Sequence, residues 1–200
     1  MNKKKRFLDS LSAMTIWHWI LGIGDRHLEN TLYSLDTGCV CSIDWASIFE
    51  HAVYNCQSPE LVPARLTRLL IAVVQNVKVL ESRLQQILLT LRNNYKSLVS
   101  VIHLAFKWKQ DYSTIGFQNT LKSVESKLKG TSLSYQITKN ILLQSDVKYK
   151  EKYINIVNDL SSQFQDKEEY SIEEQVYSLL LQCHSAKILS VTRNEWEPWL

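Results

Sequence analysis

Asp25, Asn30 and Asp44 are the residues of this 200-residue chain whose types and spacing best suit chemistry. They stand in Leu21-Gly22-Ile23-Gly24-Asp25-Arg26-His27-Leu28-Glu29-Asn30 and in Ile43-Asp44-Trp45. Between these runs lie two strand-like stretches, Thr31-Leu32-Tyr33-Ser34-Leu35 and Val40-Cys41-Ser42-Ile43. Asp36-Thr37-Gly38 joins them as a turn in which glycine can take positive φ. A hairpin centred on Thr37 sets Asn30 opposite Asp44, with Cα atoms roughly 4.5–5.5 Å apart. An amide oxygen and a carboxylate so placed, completed by phosphate oxygens and water, make a Mg2+ site. Each residue alone also has a plain reading: Asp25 and Arg26 as a salt bridge, His27 as a loop histidine, Asp44 as a strand-end cap.

The elements that must position these residues follow from composition and periodicity. Five glycines and three prolines are few for 200 residues, where about 12% is average. A chain this poor in turn-makers is mostly helical and is not a β-sandwich. Gly22, Gly24, Gly38, Pro59 and Pro63 nevertheless fall in one window, which marks it as the irregular and functional part. A broad apolar face predicts a helix over 7–23. No period holds over 45–64, which reads as a long loop. Helical spacing returns at Leu66, Leu69, Leu70 and Val73, then at Leu80, Leu84, Ile87, Leu88 and Leu91, then from Tyr95 to Phe106. Further helices are predicted over 117–128, 135–144, 147–164 and 171–184.

Bulk properties exclude other classes. Apolar residues make up 45%, charged residues 22%, and net charge is +3, a globular balance. The longest apolar run, over 69–74, is far short of a membrane span, so no membrane partner is expected. Lys3-Lys4-Lys5-Arg6 is not followed by a secretory core and reads as a solvated helix start rather than a nucleic-acid patch. Cys39-x-Cys41, with His51 and Cys56 nearby, is too tight for the common zinc knuckle. The four cysteines therefore read as reduced thiols of an intracellular protein.

The Asp-x-x-x-x-Asn spacing of Asp25 and Asn30 is that of a protein-kinase catalytic loop, where the Asp accepts the substrate hydroxyl proton and the Asn holds Mg2+. Asp44 then takes the place of the metal-binding Asp that starts the activation loop. Gly24-Asp25-Arg26-His27-x-x-Asn30 followed by Ile43-Asp44 resembles the catalytic core of the phosphatidylinositol 3-kinase-related kinases, with Asp-Arg-His in place of the usual His-Arg-Asp. Pro59-Glu60-Leu61-Val62-Pro63-Ala64-Arg65-Leu66-Thr67-Arg68 and the terminal Trp196-Glu197-Pro198-Trp199-Leu200 are similar to the branch of that family acting at DNA double-strand breaks. The last thirty or so residues look like its FATC segment, whose acidic helical opening Glu173-Glu174-Gln175-Val176 fits. The resemblance is strong over 15–70 and 170–200; 71–165 matches only as helices.

The resemblance implies a mainly α, kinase-like C-lobe over 1–165, with a catalytic loop at 22–30 and an activation loop at 44–68, and a FATC segment at 168–200. Asp25 would be the catalytic base, and His27 would stabilise the transferred phosphoryl group. Asn30 and Asp44 would hold Mg2+ of the ATP cofactor. It implies a nuclear Ser/Thr protein kinase of non-homologous end joining that acts on protein substrates and, as a full-length protein, meets DNA ends and the Ku heterodimer. No Lys or Arg lies between Asp44 and Arg65, whereas a lipid kinase needs basic groups there for inositol phosphates. Two departures stand out. Where the family has Ile-Asp-Phe-Gly-His this chain has Ile43-Asp44-Trp45-Ala46-Ser47, and nothing before Met14 matches the N-lobe with its phosphate-covering loop and strand lysine. The chain alone is therefore expected to be inactive, and a non-catalytic pseudokinase fragment or helical interaction module is the alternative.

Overall fold

A computed structural model describes residues 2–54, 58–107 and 114–191. The predicted helices are present, except that the one expected over 147–164 is an α-helix only from Lys150 to Asn158 and continues as a 3-10 turn. Helix α1 spans Lys3–Leu21, starting four residues before its first apolar side chain because the Asn2 side chain accepts the Lys4 N–H. It ends two residues before the predicted limit. Gly22 adopts φ +55°, and its N–H turns back onto the His18 and Trp19 carbonyls. Phe7, Leu11, Met14, Ile16, Trp19 and Ile20 are buried on several sides of α1, which makes it the central rod of the molecule.

The hairpin pairs β1 (Thr31–Tyr33) with β2 (Val40–Ser42). Its register, Thr31 with Ser42 and Leu32 with Cys41, corrects the expected one by a residue. Ser34 N–H donates to the Cys39 carbonyl at 2.9 Å, and Gly38, at φ +79°, donates to the Ser34 carbonyl at 2.7 Å. The loop therefore holds an even number of residues and its axis falls between Asp36 and Thr37. Asn30 consequently faces Ile43, whose N–H it accepts at 3.0 Å, and Asp44 lies one residue beyond.

The described residues of the stretch 45–64 are irregular as expected, apart from the short helix α2 (His51–Tyr54). Next come α3 (Arg68–Val74), α4 (Val77–Asn93), α5 (Tyr95–Lys107), α6 (Thr114–Lys129), α7 (Ser134–Gln144) and α8 (Lys150–Asn158). A 3-10 turn, Asp159–Gln163, follows α8, and α9 (Ile172–His184) and α10 (Ala186–Leu189) close the described chain. In α3 Leu70 and Val74 are buried and Ile71 packs partly against the core, whereas Leu69 and Val73 face outward. Leu80, Leu84 and Leu88 of α4 form a fully buried stripe against α1. Helix α9 packs on α4 and α7, and starts at a capping box in which Ser171 Oγ accepts the Glu174 N–H and the Glu174 carboxylate accepts the Ser171 N–H. Among the described residues no helix is long and apolar enough to cross a membrane. Cys56 and the terminal Trp196-Glu197-Pro198-Trp199-Leu200 lie outside the described residues.

Candidate active site

The catalytic-loop candidate begins where α1 stops. Gly22 breaks the helix, and a Cβ there would overlap the Glu50 carboxylate and backbone nitrogen, so only glycine fits. Gly24 N–H then donates to the Ser47 carbonyl at 2.8 Å, binding this loop to the segment after Asp44. Asp25 stands at φ +56°, an unusual conformation for a non-glycine residue. Its N–H donates to both carboxylate oxygens of Glu60, at 2.9 and 3.0 Å. Its carbonyl accepts the Asn30 side-chain N–H at 2.8 Å. The four-residue gap between Asp25 and Asn30 is the length this closing bond spans.

That bond orients Asn30. Its Nδ2 is committed to Asp25, so Oδ1 remains as the acceptor oxygen of a mostly buried side chain. Asp44, at φ +55°, is exposed just past the end of β2. Asn30 and Asp44 thus come to the same end of the hairpin, offset by a residue from direct opposition. Two oxygen donors of this kind suit a hard divalent cation completed by phosphate oxygens and water. Among the described residues no group of three or more His, Cys, Asp or Glu is arranged to hold a metal. His27 is half-buried on the same loop.

Arg26 does not pair with Asp25. Its guanidinium is buried, donates to the Val62 carbonyl and lies 3.7 Å from the Glu60 carboxylate. Burial pushes the Arg26 pKa down, and the charge of Glu60 partly opposes that. Glu60 therefore serves the backbone of Asp25 and the charge of Arg26 together. In the sequence Glu60 carries one local signal of this role, a lone acid beside the apolar run Leu61-Val62. Behind the loop, His18 is buried with its pKa lowered to about 3 by desolvation and then by the positive charge of Arg26. The Arg65 Nη1 donates to the Arg26 carbonyl at 3.4 Å.

The departure at Ala46 has a local explanation. The left-handed residues of this segment are Asp44, Phe49 and Glu50, and Ala46 is not among them, so no glycine is needed at that position. On the hairpin, Leu32, Cys41 and Ile43 share one exposed face beside Asp44 by strand alternation, and Trp45 is exposed next to them. An apolar floor thus borders the candidate cation site.

Residues 1–110 match the phosphatidylinositol 3- and 4-kinase family model. This chain belongs to the phosphatidylinositol 3- and 4-kinase family. A stretch of 65 residues, 32% of the chain, is 48% identical to the DNA-dependent protein kinase catalytic subunit of Canis lupus familiaris and spans 2% of it. The serine/threonine-protein kinase tor1 of Schizosaccharomyces pombe is 28% identical over 144 residues, which is 68% of this family member and 6% of that protein. The MEC1 kinase of Eremothecium gossypii is 32% identical over 133 residues, 64% of this chain and 6% of its own. The solved FAT and kinase domain of CtTel1 superposes with a TM-score of 0.60 at 22% identity, covering 99% of this chain and 12% of that one. That likeness shows the fold of this family member, a kinase-type helical lobe. The chain is a small fraction of the length of the relatives it matches.

Proposed function

We propose that this chain is the C-terminal part of a serine/threonine protein kinase, with a kinase lobe over 1–165 and a FATC segment at 168–200. The observation that supports this reading is the Asn30–Asp25 bond at the end of a hairpin in which Asn30 faces Ile43, the neighbour of Asp44, with the Asp25 N–H held by Glu60. Asp25 accepts the proton of the substrate hydroxyl as the phosphorus–oxygen bond forms. The Asn30 Oδ1 and the Asp44 carboxylate would hold Mg2+, which would neutralise charge on the phosphate oxygens of ATP. His27 adds a hydrogen-bond donor toward the transferred group. Leu32, Ile43 and Trp45 would offer an adenine ring an exposed apolar surface. The acceptor is a protein hydroxyl rather than a lipid headgroup, because no lysine or arginine lies between Asp44 and Arg65 to bind inositol phosphates.

The similarity to DNA-dependent protein kinase catalytic subunits further supports a nuclear role in double-strand-break repair by end joining, with DNA ends and the Ku heterodimer as partners of the full-length protein. In a longer protein carrying this chain, Asp25→Asn should lower transfer of labelled γ-phosphate to a Ser/Thr peptide by about 10²–10⁴-fold. Full activity of that variant would overturn the assignment of Asp25. Transfer to phosphatidylinositol and not to peptide would overturn the substrate class. No transfer to either by the wild type would favour the non-catalytic module.

A further inference from the structure

We propose that Lys127 is a positioning residue that locks the catalytic loop and the segment after Asp44 into one unit. Its functional meaning rests on the kinase reading; its geometry does not. On α6, Val124, Lys127 and Leu128 recur at spacings of three and four, and all three are buried. A lysine in such a stripe has lost its hydration and must recover hydrogen bonds from the protein.

Lys127 recovers them at the end of α1. Its Nζ donates to the Trp19 carbonyl at 2.6 Å and the Ile20 carbonyl at 3.3 Å, and forms an ion pair with the Glu50 carboxylate. Carbonyls in the last turn of a helix lack intrahelical donors and carry partial negative charge, so an ammonium is well placed there. Glu50 is itself unusual. Phe49 and Glu50 both stand at positive φ, +57° and +61°. Two successive non-glycine residues in this region persist only where their surroundings over-determine them. Phe49 N–H donates to the Leu21 carbonyl at 2.7 Å, Glu50 N–H donates to the Gly22 carbonyl at 2.9 Å, and the Glu50 side chain is held by Lys127.

The clamp therefore fastens the bend five to six residues after Asp44 to the residue at which the catalytic loop begins. The Gln175 side chain of α9 donates to the Lys127 carbonyl and to the Ser132 carbonyl, each at 3.0 Å, so α9 steadies α6 at the same point. A clamp at this place sets the offset between Asp25 and Asp44 without touching substrate.

Site-resolved amide hydrogen exchange on the 200-residue chain tests this. Lys127→Met keeps most of the side-chain volume and removes the ammonium. Phe49 and Glu50 amides should then exchange about a hundredfold faster, while α8 amides keep their wild-type rates. Glu50→Gln retains the two carbonyl contacts of Lys127, so it decides the matter if Lys127→Met does not fold; about tenfold faster exchange at Phe49 and its own amide is expected. Unchanged rates at both amides would reduce Lys127 to a space-filler. Equal acceleration in α8 would mean global destabilisation; either result overturns the proposal. No nucleotide is involved, so failure of the clamp leaves the Asp25→Asn test untouched, and failure of that test leaves the clamp standing.

Discussion

Glu60 serves Asp25 and Arg26 together, which makes it the most consequential single side chain around the candidate site. Glu60→Ala would leave the Arg26 guanidinium buried beside no carboxylate from that position and release the Asp25 N–H. A loss of about 3–5 kcal/mol in urea unfolding is expected; a loss under about 1 kcal/mol would mean solvent reaches Arg26. His18 gives a pH dependence. Its folded pKa is lowered to about 3, by burial first and the Arg26 charge second. Above the unfolded value near 6.5 neither state holds the proton, and the group is neutral to stability. As pH falls below about 6.5 the unfolded chain binds a proton that the folded chain refuses until about 3, so stability declines across that window by up to about 1.4 kcal/mol per pH unit. Urea unfolding of His18→Gln at several pH values should show a flatter acid limb than the wild type; parallel limbs would exclude His18 as the cause.

Elements place these residues through their ends. Helix α1 stops at Gly22 because no other residue combines φ +55° with the nearness of Glu50. Gly22→Ala should therefore cost at least about 1–3 kcal/mol by chemical denaturation, far more than an alanine normally does at a helix end. A neutral result would show that the Glu50 bend moves aside freely. The hairpin shows how an end decides a site. Its strands and turn were legible from Thr31-Leu32-Tyr33, Gly38 and Val40-Cys41, but not the parity of the loop. One residue of difference shifts Asp44 from facing Asn30 to lying past it. In α3, helical spacing marked Leu69, Leu70 and Val73 together, and only packing showed that Leu70 and Val74 are the buried positions while Leu69 and Val73 face outward.

Across the whole molecule, α1 forms a hub touched by β2, α3, α4 and α6, and the hairpin rests on it with one face open. Leu32, Ile43 and Trp45 on that face remain substantially exposed, which suits one wall of the proposed nucleotide cleft. We expect calorimetry of the chain with MgATP to show no saturable binding; measurable single-turnover phosphorylation by the chain alone would refute that. The amino-acid sequence determined the helical class, the hairpin and the Asp25–Asn30–Asp44 candidates, because glycine placement, apolar period and motif spacing are local properties. Glu60, Glu50, Lys127 and Gln175 were beyond its reach as partners. Lys127 and Gln175 stand among charged neighbours and carry no local mark, and the meaning of all four lies in contacts between residues 35 to 108 positions apart. Only the tertiary structure decided which buried charge meets which backbone group, since a charge removed from water must find its partner wherever the fold brings one.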